Sequence, residues 1–187
     1  MPPRLIAIDG PSGSGKSVLA DALLADLEEH GVDAGLVRTD DFATWDDPVS
    51  WWPRLVAGVL DPLWAGRPGA YQRTEWVDGI PRPGAMITVD VPEVLILEGV
   101  SAGRRSVRPR LTKLVWCELP DRRERLERAV ARDGEACREP LEAWQRFEDG
   151  WFAVDDPRSA ADVVVSGRRT PATKVFRQSG EDCYFTW

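Results

Sequence analysis

The stretch GPSGSGKS, at residues 10–17, restricts the fold of this chain more than any other part of its sequence. It follows the apolar run LIAI and leads into residues 16–29, where apolar residues recur at helical spacing. The pattern G-x-x-x-x-G-K-[ST] falls on Gly10, Gly15, Lys16 and Ser17. A strand that passes through this pattern into a helix predicts a phosphate-binding loop, whereas a flexible Gly/Ser connector would need neither neighbour.

The residue types in this loop suit the binding of phosphate. Small side chains let several backbone N–H groups point at one anion, and the N-terminus of the following helix favours negative charge. Lys16 adds a positive charge for the β- and γ-phosphates, and the Ser17 hydroxyl suits Mg²⁺. A nucleoside triphosphate, ATP or GTP, is therefore predicted to contact Gly10, Pro11, Ser12, Gly13, Ser14, Gly15, Lys16, Ser17 and Val18.

Predicted strands and helices alternate along the chain. The strands fall at residues 5–9, 34–38, 93–97, 113–119 and 162–165, and the helices at 16–29, 50–60, 122–133 and 140–152. Two more extended pieces, 70–77 and 85–91, flank the turn DGIPRPG. Uniformly apolar strands are typical of a parallel sheet with helices on both faces. We expect one α/β domain over residues 1–187, with its core at 4–167, a lid at 133–139 and a tail, 168–187, that the pattern does not place.

Composition and charge argue against several classes of protein. The net charge is −7, whereas nucleic-acid binders usually present a basic face. No apolar stretch approaches the roughly 18 residues that cross a bilayer, and the first residues do not resemble an export signal. Cys117, Cys137 and Cys183 form no CxxC pair, and His30 is the single histidine, so no zinc site is predicted. We expect a cytoplasmic protein that binds neither nucleic acid nor a membrane.

Carboxylates follow two further predicted strands. VLILEG, at residues 94–99, contains Glu98, and TDDF, at 39–42, contains Asp40 and Asp41. The carboxyl ends of parallel strands meet at one edge of the sheet, so these acids are expected near the loop. Glu98 can serve Mg²⁺, and Asp40, more than Asp41, can orient a hydroxyl for attack on the γ-phosphate. A solvent-facing Glu98 and an Asp pair that caps a turn are the alternatives.

One predicted helix, DRRERLERAVARD, is rich in arginine. Arg125, Arg128 and Arg132 share one face of it, and Arg138 follows in the expected lid. Such charge can stabilise a transferring phosphoryl group, although the acids of the same helix offer simple surface ion pairs. The sequence lacks the NKxD stretch of GTPase switches and the LSGGQ-like segment of transporter ATPases. These features favour a kinase of a small molecule.

The motifs IAIDGPSGSGKS, TDDF, VLILEG, RLERAVARD and ADVVVSG, in this order, resemble those of the uridine kinase family of P-loop kinases. The resemblance covers residues 4 to about 167. It implies a five-stranded parallel sheet in the three-layer P-loop NTP hydrolase fold. It also implies ATP with Mg²⁺, and transfer of the γ-phosphoryl group to a nucleoside hydroxyl, such as that of uridine or cytidine.

The resemblance also implies roles for individual residues. Asp40 matches the aspartate that activates the acceptor, and Ser17 and Glu98 match residues on the metal side. Asp47 resembles the acid that holds the sugar hydroxyls, and Tyr71 resembles the aromatic residue near the base. The basic positions of the family's lid region are matched by Arg128, Arg132 and Arg138.

The sequence departs from this family around the acceptor. Trp76 stands where the family has a histidine near the base, the lid segment GEACREP is short, and the stretch ATWDDPVSWW is rich in tryptophan. Trp45, Trp51, Trp52 and Trp76 either line an acceptor pocket or belong to the core. A kinase of a non-nucleoside small molecule and a nucleotide-binding regulatory module therefore stay open as alternatives. Tryptophans on the surface would also indicate a homo-oligomer.

Overall fold

A computed structural model describes residues 1–168 of the chain. Its strands are β1 (Arg4–Asp9), β2 (Ala34–Arg38), β3 (Gly69–Val77), β4 (Ile80–Val89), β5 (Val94–Glu98), β6 (Leu111–Glu118) and β7 (Val163–Ser166). Its helices are α1 (Lys16–Glu29), α2 (Trp52–Leu55), α3 (Asp61–Trp64), α4 (Arg122–Asp133) and α5 (Arg138–Asp155). None of the helices in this range has both the length and the hydropathy needed to cross a bilayer. All but the first residue of the predicted tail, and with it Cys183, lie outside the described residues.

Five of the strands form one parallel sheet in the order β2-β5-β1-β6-β7. β1 lies at its centre, so that Ile6 pairs with Ile96 of β5 and Ile8 pairs with Val115 of β6. These central strands are apolar because elements of the chain cover both of their faces. The predicted five-stranded parallel sheet in a three-layer α/β fold is confirmed.

Successive strand residues contribute to two separate cores, because neighbouring side chains of a strand point to opposite faces. On one face, Ile6, Ile8 and Ile96 form a cluster with the buried leucines of α1. On the other face, Leu5 and Leu97 form a cluster with α2, α3 and the aromatic residues around them. The sheet therefore lies between two apolar layers, and its carboxyl edge carries the phosphate-binding loop.

β3 and β4 form an antiparallel hairpin apart from the main sheet. Its turn consists of Asp78 and Gly79, which both have positive φ angles, of 52° and 74°. Asp-Gly at these two positions is a preferred sequence for a two-residue type I′ turn. β4 begins directly after it and includes Pro81 and Pro83, which an edge strand tolerates. The longer turn predicted for DGIPRPG is therefore wrong.

The helix predicted at residues 50–60 is longer and less regular than expected. α2 is followed by a π turn, Val56–Leu60, and then by α3, which extends to Trp64. Gly58, within the π turn, lies so close to β3 that a Cβ atom on it would be 2.7 Å from the carbonyl oxygen of Ala70. The wider turn thus lets the helical segment pack directly on the hairpin backbone.

Two glycines provide a test of how closely α4 packs on the loop. Gly13 and Gly31 both have a φ of 76°, but a Cβ on Gly13 would collide with the backbone of Arg125, whereas one on Gly31 would meet nothing within 4 Å. We expect Gly31→Ala to lower the free energy of unfolding by about 1–2 kcal/mol, from backbone strain alone. Gly13→Ala should lower it further, because α4 must move away. Urea unfolding followed by tryptophan fluorescence measures both, and equal losses would contradict this packing.

Candidate active site

The loop between β1 and α1 presents a set of unused backbone donors. The N–H of Gly10 donates to Asp9 Oδ1 at 2.7 Å, and that of Ser14 donates to the Pro11 carbonyl at 3.2 Å. Within residues 1–168, five further amide hydrogens of this region donate to no protein acceptor, namely those of Gly13, Gly15, Lys16, Ser17 and Val18. Unpaired N–H groups at the start of a 14-residue helix form a site for an anion such as phosphate.

The glycines of the loop allow this conformation. Gly10 has a φ of 147°, and a Cβ on it would collide with the backbone of Cys117 in β6. Gly15 has a φ of 95° and leads directly into α1. Both angles disfavour any residue with a Cβ, so the sequence pattern reflects backbone geometry as well as access for an anion.

Lys16 lies buried beneath the loop, with 7% of its surface exposed. Its Nζ donates to the Pro11 carbonyl at 3.1 Å, and no carboxylate of the described residues lies within ion-pair distance. Three buried acids nevertheless feel its charge, which lowers the pKa values of Asp9, Glu98 and Glu148 against the larger, opposite effect of their burial. The ammonium group thus lies among carboxylates without being neutralised by direct contact with any of them.

Asp9, at the end of β1, anchors the loop to the segment after β5. Its carboxylate accepts the N–H groups of Gly10, Ser101 and Gly103 at 2.7, 3.1 and 2.9 Å. Burial raises the pKa of this group to about 6, against the lowering effect of these three hydrogen bonds and of the Lys16 charge. The sequence analysis did not single out Asp9, although it is the acid that directly precedes the glycine pattern.

Ser17 and Glu98 lie side by side, as a magnesium site requires. Ser17 Oγ donates to Glu98 Oε1 at 3.3 Å, and Arg38 holds the other carboxylate oxygen at 3.0 Å. Burial raises the pKa of Glu98, and the nearby Asp40 raises it further. A hydroxyl and a carboxylate oxygen are hard ligands of the kind that Mg²⁺ takes in small number, with water and phosphate completing its shell. The residues present therefore fit this ion.

A cavity of about 690 Å³ opens beside the loop. Asp40, in the 3₁₀ turn Thr39–Asp41 that follows β2, contributes to its wall, and so does Ser12 of the loop. The hairpin turn and the segment between α4 and α5 supply much of the remainder. Among the lining residues are Ser12, Asp40, Trp45, Trp76, Arg132 and Trp144. The cavity thus joins the phosphate-binding loop to a carboxylate.

Three residues predicted to hold the acceptor, Asp41, Asp47 and Tyr71, do not line this cavity. The Asp47 carboxylate accepts the N–H of Ser50 at 2.7 Å, within a loop. Tyr71 stacks on Phe42, with ring centroids 4.6 Å apart, and donates its hydroxyl to Asp41 at 2.6 Å. Burial raises the pKa of Asp41, and the pKa of Tyr71 is raised above its usual range for the same reason. Asp41 and Tyr71 therefore bond to each other and have a structural role in this structure.

The tryptophans divide between the cavity and the core. Trp51 and Trp52 are buried in the core cluster beneath the sheet. Trp45 and Trp76 line the cavity and contact each other edge to face, with ring centroids 4.8 Å apart. Helical and strand periodicity could not separate these cases, because each tryptophan satisfies an apolar position.

The arginines predicted to stabilise the phosphoryl group also lie in different surroundings. Arg132 lines the cavity and donates to both carboxylate oxygens of Asp133 at 2.6 Å. Arg128 lies beside the loop's outer surface, where it donates to the Gly167 carbonyl at 3.0 Å. Arg138 instead forms surface ion pairs with Glu127 and Glu135, while Arg125 is buried and donates to the Leu119 carbonyl. Only Arg132 of this set contributes to the cavity wall within the described residues.

Glu148, in α5, also belongs to this candidate site, although the sequence analysis did not single it out. It is 1% exposed, and its carboxylate accepts the backbone N–H of Ser12 at 3.1 Å, the Ser12 hydroxyl, and the indole N–H of Trp144 at 2.7 Å. Burial raises its pKa. The residue therefore connects the loop to one aromatic wall of the cavity. The sequence does hold one indication of this role, because Glu148 is an acid on the apolar face of the helix predicted at residues 140–152.

The contacts of Glu148 predict a difference between two substitutions. Glu148→Leu fills the space but leaves the Ser12 and Trp144 donors unpaired, which should lower the free energy of unfolding by about 1–3 kcal/mol for each donor. Glu148→Gln keeps one acceptor oxygen and should cost less. Urea unfolding of both variants measures the difference, with the half-buried Glu142→Leu of the same helix as control. A leucine variant as stable as the glutamine variant would contradict the assignment.

The parallel sheet, the glycine loop and the buried lysine together define a P-loop protein of the α/β class.

The sequence matches no protein-family model and no curated protein. Solved structures do share the fold. A possible uridine kinase from Bacillus stearothermophilus superposes with a TM-score of 0.65 at 20% identity, over 89% of this chain and 90% of that one. A candidate fructose transport system kinase from Silicibacter sp. TM1040 gives 0.63 at 20%, over 87% and 89%. The motif-based resemblance to uridine kinase-like P-loop proteins is thus confirmed at the level of the fold.

Proposed function

We propose that this protein transfers the γ-phosphoryl group of a nucleoside triphosphate, ATP or GTP, to a hydroxyl group of a small molecule. The observation that carries this proposal is the cavity, because both Asp40 and Ser12 of the loop line it. A kinase needs a phosphate site and a carboxylate beside an acceptor pocket, and here one space adjoins both. The two structural neighbours described as candidate kinases agree with this reaction class.

The loop would hold the triphosphate and stabilise the charge that develops during transfer. Its five unpaired N–H groups and the buried Lys16 ammonium are already oriented by the fold. Donors that are fixed in advance stabilise a transition state without a further cost of reorganisation. When bound, Mg²⁺ would neutralise phosphate charge, with Ser17 and Glu98 as the residues that hold it.

Asp40 would act on the acceptor. Its carboxylate takes no hydrogen bond from the described residues, so both oxygens are available to an acceptor hydroxyl. In the transfer step the hydroxyl oxygen forms a bond to the γ-phosphorus, the bond to the β–γ bridging oxygen breaks, and Asp40 accepts the hydroxyl proton. Arg132, at the same wall, is paired with Asp133 and would have to exchange that partner to offset the negative charge of the phosphoryl group.

The placement of Asp47 and Tyr71 favours an acceptor other than a nucleoside. Both match nucleoside-binding positions of the uridine kinase family, yet neither lines the cavity. Trp76, which does line it, offers one N–H and no acceptor in place of the family's histidine. Transfer to a nucleoside such as uridine or cytidine is the alternative, and the panel of acceptors tested below includes both.

Substitution of Lys16 and Asp40 tests the proposed reaction. Asp40→Asn should lower acceptor-dependent kcat by about 10²–10⁴-fold, because it removes the proton acceptor. It should leave nucleotide binding in place, whereas Lys16→Ala should weaken binding itself. The readouts are ADP release with a panel of nucleosides, sugars and vitamins, and thermal stabilisation by an ATP analogue.

The control for Asp40→Asn is Asp46→Asn, which changes an exposed acid of the same region. A saturating ATP analogue, at about 100 times its dissociation constant, should stabilise the wild type by roughly 2.7 kcal/mol. If the analogue binds but no acceptor in the panel gives turnover, the protein is better described as a nucleotide-binding regulatory module.

A further inference from the structure

Three indole rings form a corner of the cavity. Trp76 and Trp144 both meet Trp45 edge to face, with ring centroids 4.8 and 5.9 Å from it and interplanar angles of 68° and 81°. All three line the cavity and come from different parts of the chain: the loop after β2, the hairpin and α5. We call Trp45, Trp76 and Trp144 the indole corner.

The polar atoms of this corner are largely committed to the protein. Trp45 donates its indole N–H to the Gly79 carbonyl at 2.8 Å, and Trp144 donates its own to Glu148 at 2.7 Å. Two of the three rings therefore offer a ligand only their carbon framework and π-electrons. Such surfaces attract cations and stack on flat rings, but they do not recognise hydrogen-bonding edges.

The charged groups of the wall add a negative field. Asp40 and Asp78 accept no hydrogen bond and form no ion pair in residues 1–168, although both line the cavity. Asp133 is held by Arg132, the one basic side chain among the lining residues, through two hydrogen bonds of 2.6 Å. Two carboxylates are thus left without a direct partner, and the single guanidinium is already engaged.

We propose that the acceptor is a hydroxylated cation, whose quaternary ammonium, protonated amine or charged ring lies at the indole corner while its hydroxyl lies at Asp40. This inference rests on the proposed phosphotransfer and names the acceptor class. A cation gains from both the π-faces and the two carboxylates. An anion would meet two negative charges and would have to compete with Asp133 for Arg132. A neutral nucleoside would find few donors or acceptors for its base.

Matched pairs of ligands test the charge preference by calorimetry, in the presence of an ATP analogue. The pairs are choline with 3,3-dimethylbutan-1-ol, 1-(2-hydroxyethyl)pyridinium with 2-phenylethanol, and glucosamine with glucose, and glucuronate is the anionic probe. At least one cation should bind about tenfold more tightly than its uncharged partner, a difference typical of a desolvated cation–π contact. The inference is overturned if no cation exceeds its partner, or if glucuronate binds best.

Substitutions in the cavity wall show where the cation binds. Trp76→Leu should remove most of the preference for the cation, whereas Trp76→Phe, which keeps a π-face, should retain much of it. Asp78→Asn should weaken cation binding severalfold, and Asp90→Asn, which changes an exposed acid beyond the other end of the hairpin, should not. A preference that survives both Trp76→Leu and Asp78→Asn would place the cation elsewhere and overturn the inference.

Turnover separates this inference from the proposed function. If ADP release depends on neutral or anionic acceptors alone, the phosphotransfer proposal stands and the cationic acceptor does not. If no acceptor of any charge supports ADP release while the ATP analogue binds, the phosphotransfer proposal itself fails.

Discussion

The rest of the site depends on one buried positive charge. The Lys16 ammonium, beneath the loop, acts on three buried carboxylates that come from separate elements: Asp9 from β1, Glu98 from β5 and Glu148 from α5. Each carboxylate accepts hydrogen bonds from other groups, and Lys16 forms a direct ion pair with none of the three. A charge that is buried but not directly paired is costly, and the binding of a polyanion beside it would relieve that cost.

Each of these carboxylates connects the loop to another part of the molecule. Asp9 joins the loop to the segment after β5, and Glu98 joins α1 to β2 through Ser17 and Arg38. Glu148 joins the loop to Trp144 and hence to the indole corner. The loop and the cavity beside it therefore share a hydrogen-bonded framework.

The sequence predicted the parallel sheet, α1 and the loop between β1 and α1 well, for a physical reason. A parallel strand buried on both faces is mostly apolar, and the φ angles at Gly10 and Gly15 disfavour residues with a Cβ, so both features leave a local signature. The bounds of α1 and of β2 follow from such local rules. The turn at Asp78 and Gly79 obeys a local rule too, and the flanking prolines obscured it.

The cavity was harder to predict, because its walls depend on contacts between residues that are far apart in the sequence. Nothing near Glu148 in sequence indicates that it bonds to Ser12, and nothing near Trp45 indicates that Trp76 and Trp144 will meet it while Trp51 enters the core. The likeness to solved structures at 20% identity shows the fold, whereas the cavity is lined by side chains of the hairpin turn, of the segment between α4 and α5, and of α5 itself. One fold can host many different functions, so the function has to be argued from the residues of the site. The charge and the indole surfaces of this wall are therefore better guides to the acceptor than the fold.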